Sequence, residues 1–420
     1  MQIWFAAMLV VASCAGPAMA QTAPADTGPV YTLDQAVAAA GGRAPSIDAA
    51  NAAVDAAEQA RAVAALRPNP QVQAQVENIL GSGAYQGLRS AETTLGIAIP
   101  IELGGKRSAR GAVAGAQLSR TRIEAAVIAA DLRLRITQLY VGALAADRRV
   151  ATAREQARIA TEALRVATIR VEAGRASPLE RQRAEVARIN AEAGVERVER
   201  LAQAARTNLS RRIGQPAAGP LDDRLLDRLP ADTQGPVAPV LPDGTLALAA
   251  ARADIAVADA GIRLARAARV PDLNIGPAIR RLEATNDTAA VVALSLPIPL
   301  FDRGRAAIAQ ASAERTRAEA QARVTALDVA QAITDAQVQA ANAATTARTA
   351  AGPALAAAQE AARIARIGYR EGKFGQTELL DVERTLAETR LAAIDALAEY
   401  QNARAQLERL TAPAPSTETP

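Results

Sequence analysis

"IAIPIELGGKR" at 97–107 returns, altered, as "LSLPIPLFDRGR" at 294–305. Each copy follows a segment of alternating residues and runs straight into a long tract rich in alanine and arginine. A chain that twice builds a short strand, turns at a proline-marked corner and launches a helix too long for a globular domain reads as an internal repeat.

Upstream of each corner lies a strand pair. The first is 71–79, "QVQAQVENI", with 91–101, "AETTLGIAIPI", joined across the glycine-rich "GSGAYQGLRS". The second is 272–283, "DLNIGPAIRRLE", with 289–299, "AAVVALSLPIP", joined across "ATNDT". In "QVQAQV" glutamine alternates with Val and Ala, the two-residue period of a strand whose faces differ. Segments of about ten residues match a tilted transmembrane strand. Four strands cannot close a membrane barrel, and open edges in lipid leave backbone groups unbonded. If these strands span, several copies of the chain pool them. The competing reading is a pair of ordinary hairpins in a soluble sheet, and only Tyr85 and Phe301 stand near the strands as interfacial aromatics. On the residues alone both readings stand.

Downstream, 105–171 carries Leu132, Ile136, Leu139 and Leu144 near helical spacing with no proline, and 303–369 is its counterpart. Either helix would extend about 100 Å at 1.5 Å per residue. Both stop at glycine turns that align, "VEAGRASPLE" at 171–180 and "YREGKFGQTE" at 369–378, so Gly174 matches Gly372 and Glu180 matches Glu378. The return helices, 177–213 and 375–410, are only half as long. Shorter helices at 44–66, capped by Ser46, and 247–269 are the pieces to stack end to end on them. The resulting order is a segment 1–20, a first repeat 21–213 with its tip at 172–177, a connector 214–244, a second repeat 245–410 with its tip at 370–376, and a disordered tail 411–420.

Composition narrows the function. Apolar residues make up 50% of the 420, but only 2% are aromatic and most of the rest is alanine, which suits thin helix seams rather than a broad core. Histidine is absent and Cys14 is the single cysteine, so no imidazole or thiolate catalyst, no metal site and no cofactor site is expected, and no enzyme reading has a constellation behind it. The net charge of +4 comes from arginines mixed with acids along helices, a solvated face and not a nucleic-acid patch. At the N-terminus the apolar run ending "AMA" at 18–20 reads as a signal peptide cleaved before Gln21. Val11-Ala12-Ser13-Cys14 also reads as a lipobox, with Cys14 as the lipidated first residue.

With "PIELGGKR", "LPIPLFDRGR" and "YREGKFG…ELLDVERTL" in view, the chain from about 30 to 410 resembles the TolC-like outer membrane efflux proteins. "PIELGGKR" is most similar to the cobalt-zinc-cadmium resistance branch. The resemblance implies a mainly α chain with a small β part. Four strands from each chain of a homotrimer make a twelve-stranded barrel in outer membrane lipid, continued by a long α-helical coiled tunnel in the periplasm. It also implies a passive conduit for divalent heavy-metal cations, fed by an inner-membrane resistance-nodulation-division pump through a periplasmic adaptor.

Carried over residue by residue, the resemblance implies a periplasmic gate at Glu378 and Asp381. It implies a latch between Tyr369 and Glu180, with Lys373 or Arg175 as its cation, since Phe374 stands where some relatives have arginine. The residues also allow a local reading, in which Glu378 and Asp381 favour a helix N-terminus and Asp381 pairs with Arg384. Gly174, Gly372, Phe374 and Gly375 would form the adaptor-docking tips. Gly104 and Gly105 would relax the first strand-to-helix corner while Pro100, Pro297 and Pro299 fix direction. Lys106, Arg107 and Arg303 would reach the lipid boundary or lie in solvent. Two other functions compete: a drug or type I secretion channel, and a soluble periplasmic coiled-coil scaffold or adaptor.

Overall fold

The computed structural model describes residues 30–217, 219–228, 230 and 242–415. The segment 1–20 with Cys14, and 231–241 of the connector, lie outside the described residues.

The chain opens with α1 (Leu33–Gly41) and α2 (Pro45–Ala64). Thr32 caps α1 reciprocally: its hydroxyl accepts from the Gln35 amide while Gln35 Oε1 accepts from the Thr32 amide. Ser46 is not a cap. The turn before α2 is closed by Pro45 at the first helical position, where a missing N–H breaks no bond.

Strands β1 (Gln71–Glu77), β2 (Glu92–Ile101), β3 (Leu273–Leu282) and β4 (Asp287–Ser295) form one antiparallel sheet in the order β1-β2-β3-β4. The central pairing of β2 with β3, Leu95 opposite Ile279 and Ile99 opposite Ile275, joins the two repeats. Pro100 lies inside β2 opposite Asn274 and not at the corner. Strand β1 begins opposite Ala98, so that flank of β2 is already an edge, where proline is tolerated. β4 ends at Ser295, short of 299, because Pro297 and Pro299 cannot donate to a ladder.

Both corners turn on glycine. Gly104 and Gly105 have φ of 71° and 73°, and Gly304 has 70° at the second corner. A Cβ on Gly104 would also stand 2.6 Å from Val270 Cβ, so the turn leading into β3 packs against bare backbone. Lys106 does not reach outward: its ammonium lies 2.8 Å from Asp272, which also accepts the Leu103 amide.

Helix α3 (Lys106–Glu172) runs unbroken through 67 residues and returns as α4 (Pro178–Ile213). It packs on α2 and on α6 (Leu246–Ala268) over its first part, and on α4 and α9 (Gln376–Leu410) over its second. The counterpart helix is interrupted. Helix α7 (Arg305–Thr349) passes through a π-helical turn, Ala350–Ala354, into α8 (Leu355–Arg370). Gly352, at φ −99° and ψ −108°, leaves helical geometry just before Pro353, whose ring and absent N–H forbid a regular turn.

The core sits where helix ends meet. Ile136, Tyr140 and Leu144 of α3 are buried with Leu209 and Ile213 of α4 and with Leu226 of the short α5 (Arg224–Asp227). Each such side chain contributes about 1.5–3 kcal/mol of burial. Elsewhere buried positions are mostly alanine, so the helices lie close with little between them. At this level Arg43 Nη1 donates to Gln215 Oε1 at 3.0 Å, tying the α1–α2 turn to the end of α4. The end of α9 meets the start of α6: the Leu246 amide donates to Ala412 O and the Ala414 amide to Gly244 O. Residues 411–414 are thus held by backbone bonds, which corrects the expectation of a disordered tail beginning at 411.

Candidate functional site

The sheet has two chemically distinct faces. Register places Val72, Ala74 and Val76 with Leu95, Ile97, Ile99, Ile275, Ile279, Val292 and Leu294 on one side. Leu95, Ile279 and Val292 are 59%, 62% and 70% exposed, an apolar band with none of the described residues over it. The opposite side carries Gln71, Gln73, Gln75, Glu77, Glu92, Thr94, Gly96, Asn274, Arg280 and Ser295. Along β2 this polar side is the more covered one. Among the described residues, strands β1 and β4 each leave one edge unpaired. Among the described residues no helix is long and apolar enough to cross a membrane.

At the far end, two tips come together. Gly174 and Gly372, at φ 69° and 74°, make the tight turns between α3 and α4 and between α8 and α9. Ser177 caps α4, its Oγ accepting from the Leu179 amide. Glu378 caps α9, its Oε2 accepting the Gly375 amide at 2.9 Å. Between the tips Ala365, Tyr369 and Leu379 pack with Val166 and Val382.

The structure brings Tyr369 and Glu180 together: the phenol, 4% exposed, donates to Glu180 Oε1 at 3.1 Å. Burial foremost, then the bond to Glu180, raise the Tyr369 pKa and keep it a donor. The cation beside them is Arg170, which stacks 5.0 Å from the Tyr369 ring centroid and lies 3.8 Å from Glu180. Lys373 instead pairs with Glu371 at 2.6 Å, and the Arg175 side chain is exposed with no partner among the described residues. Asp381 is exposed and paired with Arg384 at 2.5 Å, so both carboxylates of the expected gate have local partners in the single chain.

Three features escaped sequence reasoning. No spacing rule connects Arg170 with a tyrosine 199 positions away. Gly368 cradles Phe374: a Cβ there would stand 2.2 Å from the ring, while Gly368 O accepts the Lys373 and Phe374 amides. The buried Glu383 is gripped by Arg366, Nη2 to Oε2 at 2.8 Å, a pair seventeen positions apart that only the α8–α9 hairpin can join.

Comparison with known proteins gives a consistent result. The family model for outer membrane efflux proteins matches residues 37–215 and 243–412. A cobalt-zinc-cadmium resistance protein, CzcC of Cupriavidus metallidurans, is 27% identical over 96% of this chain and 94% of its own. A nickel-cobalt-cadmium resistance protein, NccC of Alcaligenes xylosoxydans xylosoxydans, is 30% identical over 66% of this chain and 62% of its own. Among solved structures, the open-state MtrE outer membrane channel of Neisseria gonorrhoeae superposes with TM-score 0.72 at 18% identity, covering 90% of this chain and 88% of that one. CusC, solved in a study of transmembrane channel formation, gives 0.73 at 16%, covering 91% and 92%.

Proposed function

The chain belongs to the outer membrane efflux protein family, and from that premise we propose that three copies form a passive conduit carrying divalent heavy-metal cations out of the periplasm. The protein resides in the outer membrane and extends into the periplasm, as its family does. Trimer formation, an adaptor at the helical tips and an inner-membrane pump as the energy source belong to the proposal.

One observation carries it: the four-stranded sheet has an exposed apolar face, a polar face and two unpaired edges. Such a sheet is stable in lipid only if neighbouring copies complete the ladder. Its polar face then lines a water-filled path. The metal assignment takes support from the metal-resistance proteins similar in sequence and from the acidic residues at the tips. A chain without histidine and with cysteine only at position 14 would draw cations by charge and release them, as conduction demands.

Within this frame Tyr369, Glu180 and Arg170 would hold neighbouring hairpins at the closed end, and Glu378 and Asp381 would concentrate cations there. Gly174, Gly372, Phe374 and Gly375 would present the tips to the adaptor. Reconstitution in a planar bilayer tests the conduit. Discrete conductance steps and a cation preference are expected, and a water-soluble monomer without pore activity would overturn it. Growth in cobalt, zinc or cadmium with the cognate pump and adaptor, against growth in organic drugs, tests the cargo.

A further inference from the structure

At the end of the sheet away from the helices, one row crosses all four strands. Glu77 stands opposite Glu92, Glu92 opposite Leu282, and Leu282 opposite Asp287, so three carboxylates share the polar face at one height. Two directly opposed glutamates repel each other across a strand pair. Arg280, two residues nearer the helices on the same face, reaches both. Its Nη1 donates to Glu92 Oε2 at 2.8 Å and its Nη2 lies 3.2 Å from Glu77 Oε2, while Nε donates to Thr94 Oγ1 at 3.0 Å. Asn78 Nδ2 also donates to Glu92, at 3.3 Å. Asp287 has no partner among the described residues. Arg281, on the apolar side, is taken by Glu283 and Asn286 and does not enter the row.

We infer that Arg280 sets the ion selectivity of the distal mouth: it neutralises one of three carboxylates in each chain and leaves a net negative ring at the exit. The inference rests on reading the polar face as the lumen. The charges sit at the rim, where field lines concentrate between low-dielectric walls, and a ring with more acids than bases favours cations leaving over anions entering. Arg280 tempers that ring, because a mouth with all three carboxylates uncompensated would hold divalent cations and slow their release.

Bilayer recordings under a salt gradient test this, reading the reversal potential of the parent and of three variants. Arg280→Gln should raise the cation-to-anion permeability ratio by about two-fold or more in dilute salt, with the difference fading at 1 M, where the Debye length is about 3 Å. Glu92→Gln should lower the ratio. Arg280→Gln combined with Glu92→Gln restores the parental charge and should restore the parental ratio, which a merely structural role would not do. Conductance steps with a parental reversal potential in Arg280→Gln would overturn the inference and leave the conduit intact. A parent without steps would overturn the conduit itself. Should Arg280→Gln not assemble, Glu92→Gln decides alone, and an unchanged ratio there counts against the inference.

Discussion

The Tyr369 hydroxyl donates to Glu180 at 3.1 Å, joining the last turn of α8 to the first turn of α4 and so one hairpin tip to the other. Removing the hydroxyl with Tyr369→Phe leaves a half-buried carboxylate short of a donor, at a cost of about 1 kcal/mol. If the bond holds the tips together, single-channel recordings should show larger or longer openings in the variant. Openings identical to the parent would remove the latch.

Glu378→Gln and Asp381→Asn address the expected gate. Both residues have local partners, so stability should change by less than about 1 kcal/mol. Loss of cation preference in the doubly substituted channel would place the selectivity there. Retention would leave these carboxylates as cap and helix pair only.

Gly368→Ala drives a methyl group into the Phe374 ring, which must leave its cradle. Overpacking of this kind costs about 1–3 kcal/mol. The tip should reorganise locally while the distant sheet is unaffected, so binding of the cognate adaptor should weaken while the yield of trimer stays parental. Affinity measured by surface immobilisation checks it.

Tyr140 supplies a pH dependence. Buried at the core, it donates to Tyr31 O at 2.6 Å and accepts the Asp222 amide at 2.8 Å. Burial pushes its pKa up to about 12 from the ordinary tyrosine value of 10.0. Over that window the unfolded state has lost the proton and the folded state keeps it, so stability is full below about pH 10 and falls as pH rises toward 12. Chemical denaturation should show this decline, and Tyr140→Phe should abolish it while costing about 1–3 kcal/mol at neutral pH through the orphaned Asp222 amide.

Gly104→Ala combines positive φ with a clash against Val270 and should lower the yield of heat-resistant oligomer, whereas Gly105→Ala, with open space at its Cβ position, should do so less. Equal losses would mean that backbone conformation alone matters at the corner.

The repeat, the strand pairs, the long first helix and both glycine tips were readable because each depends on local periodicity and on residues that punctuate it. The break in the second long helix was also written locally, at Gly352-Pro353, but the symmetry of the repeat masks it. Ser46 and Pro100 show the opposite failure. Their types suggest cap and corner, yet a neighbouring proline and the late start of β1, opposite Ala98, decided otherwise.

By itself the sequence determined where the chain bends and which face of each strand is apolar, since alternation and turn residues act over a few positions. Only the tertiary structure decided who meets whom: Arg170 with Tyr369, Arg366 with Glu383, Arg280 with two glutamates on two other segments, and Lys106 with Asp272. In a chain with 46 arginines among 44 acids, local pairing is nearly degenerate. Which charges end up facing one another is set by helix azimuth and strand register, and those are fixed only when distant segments pack.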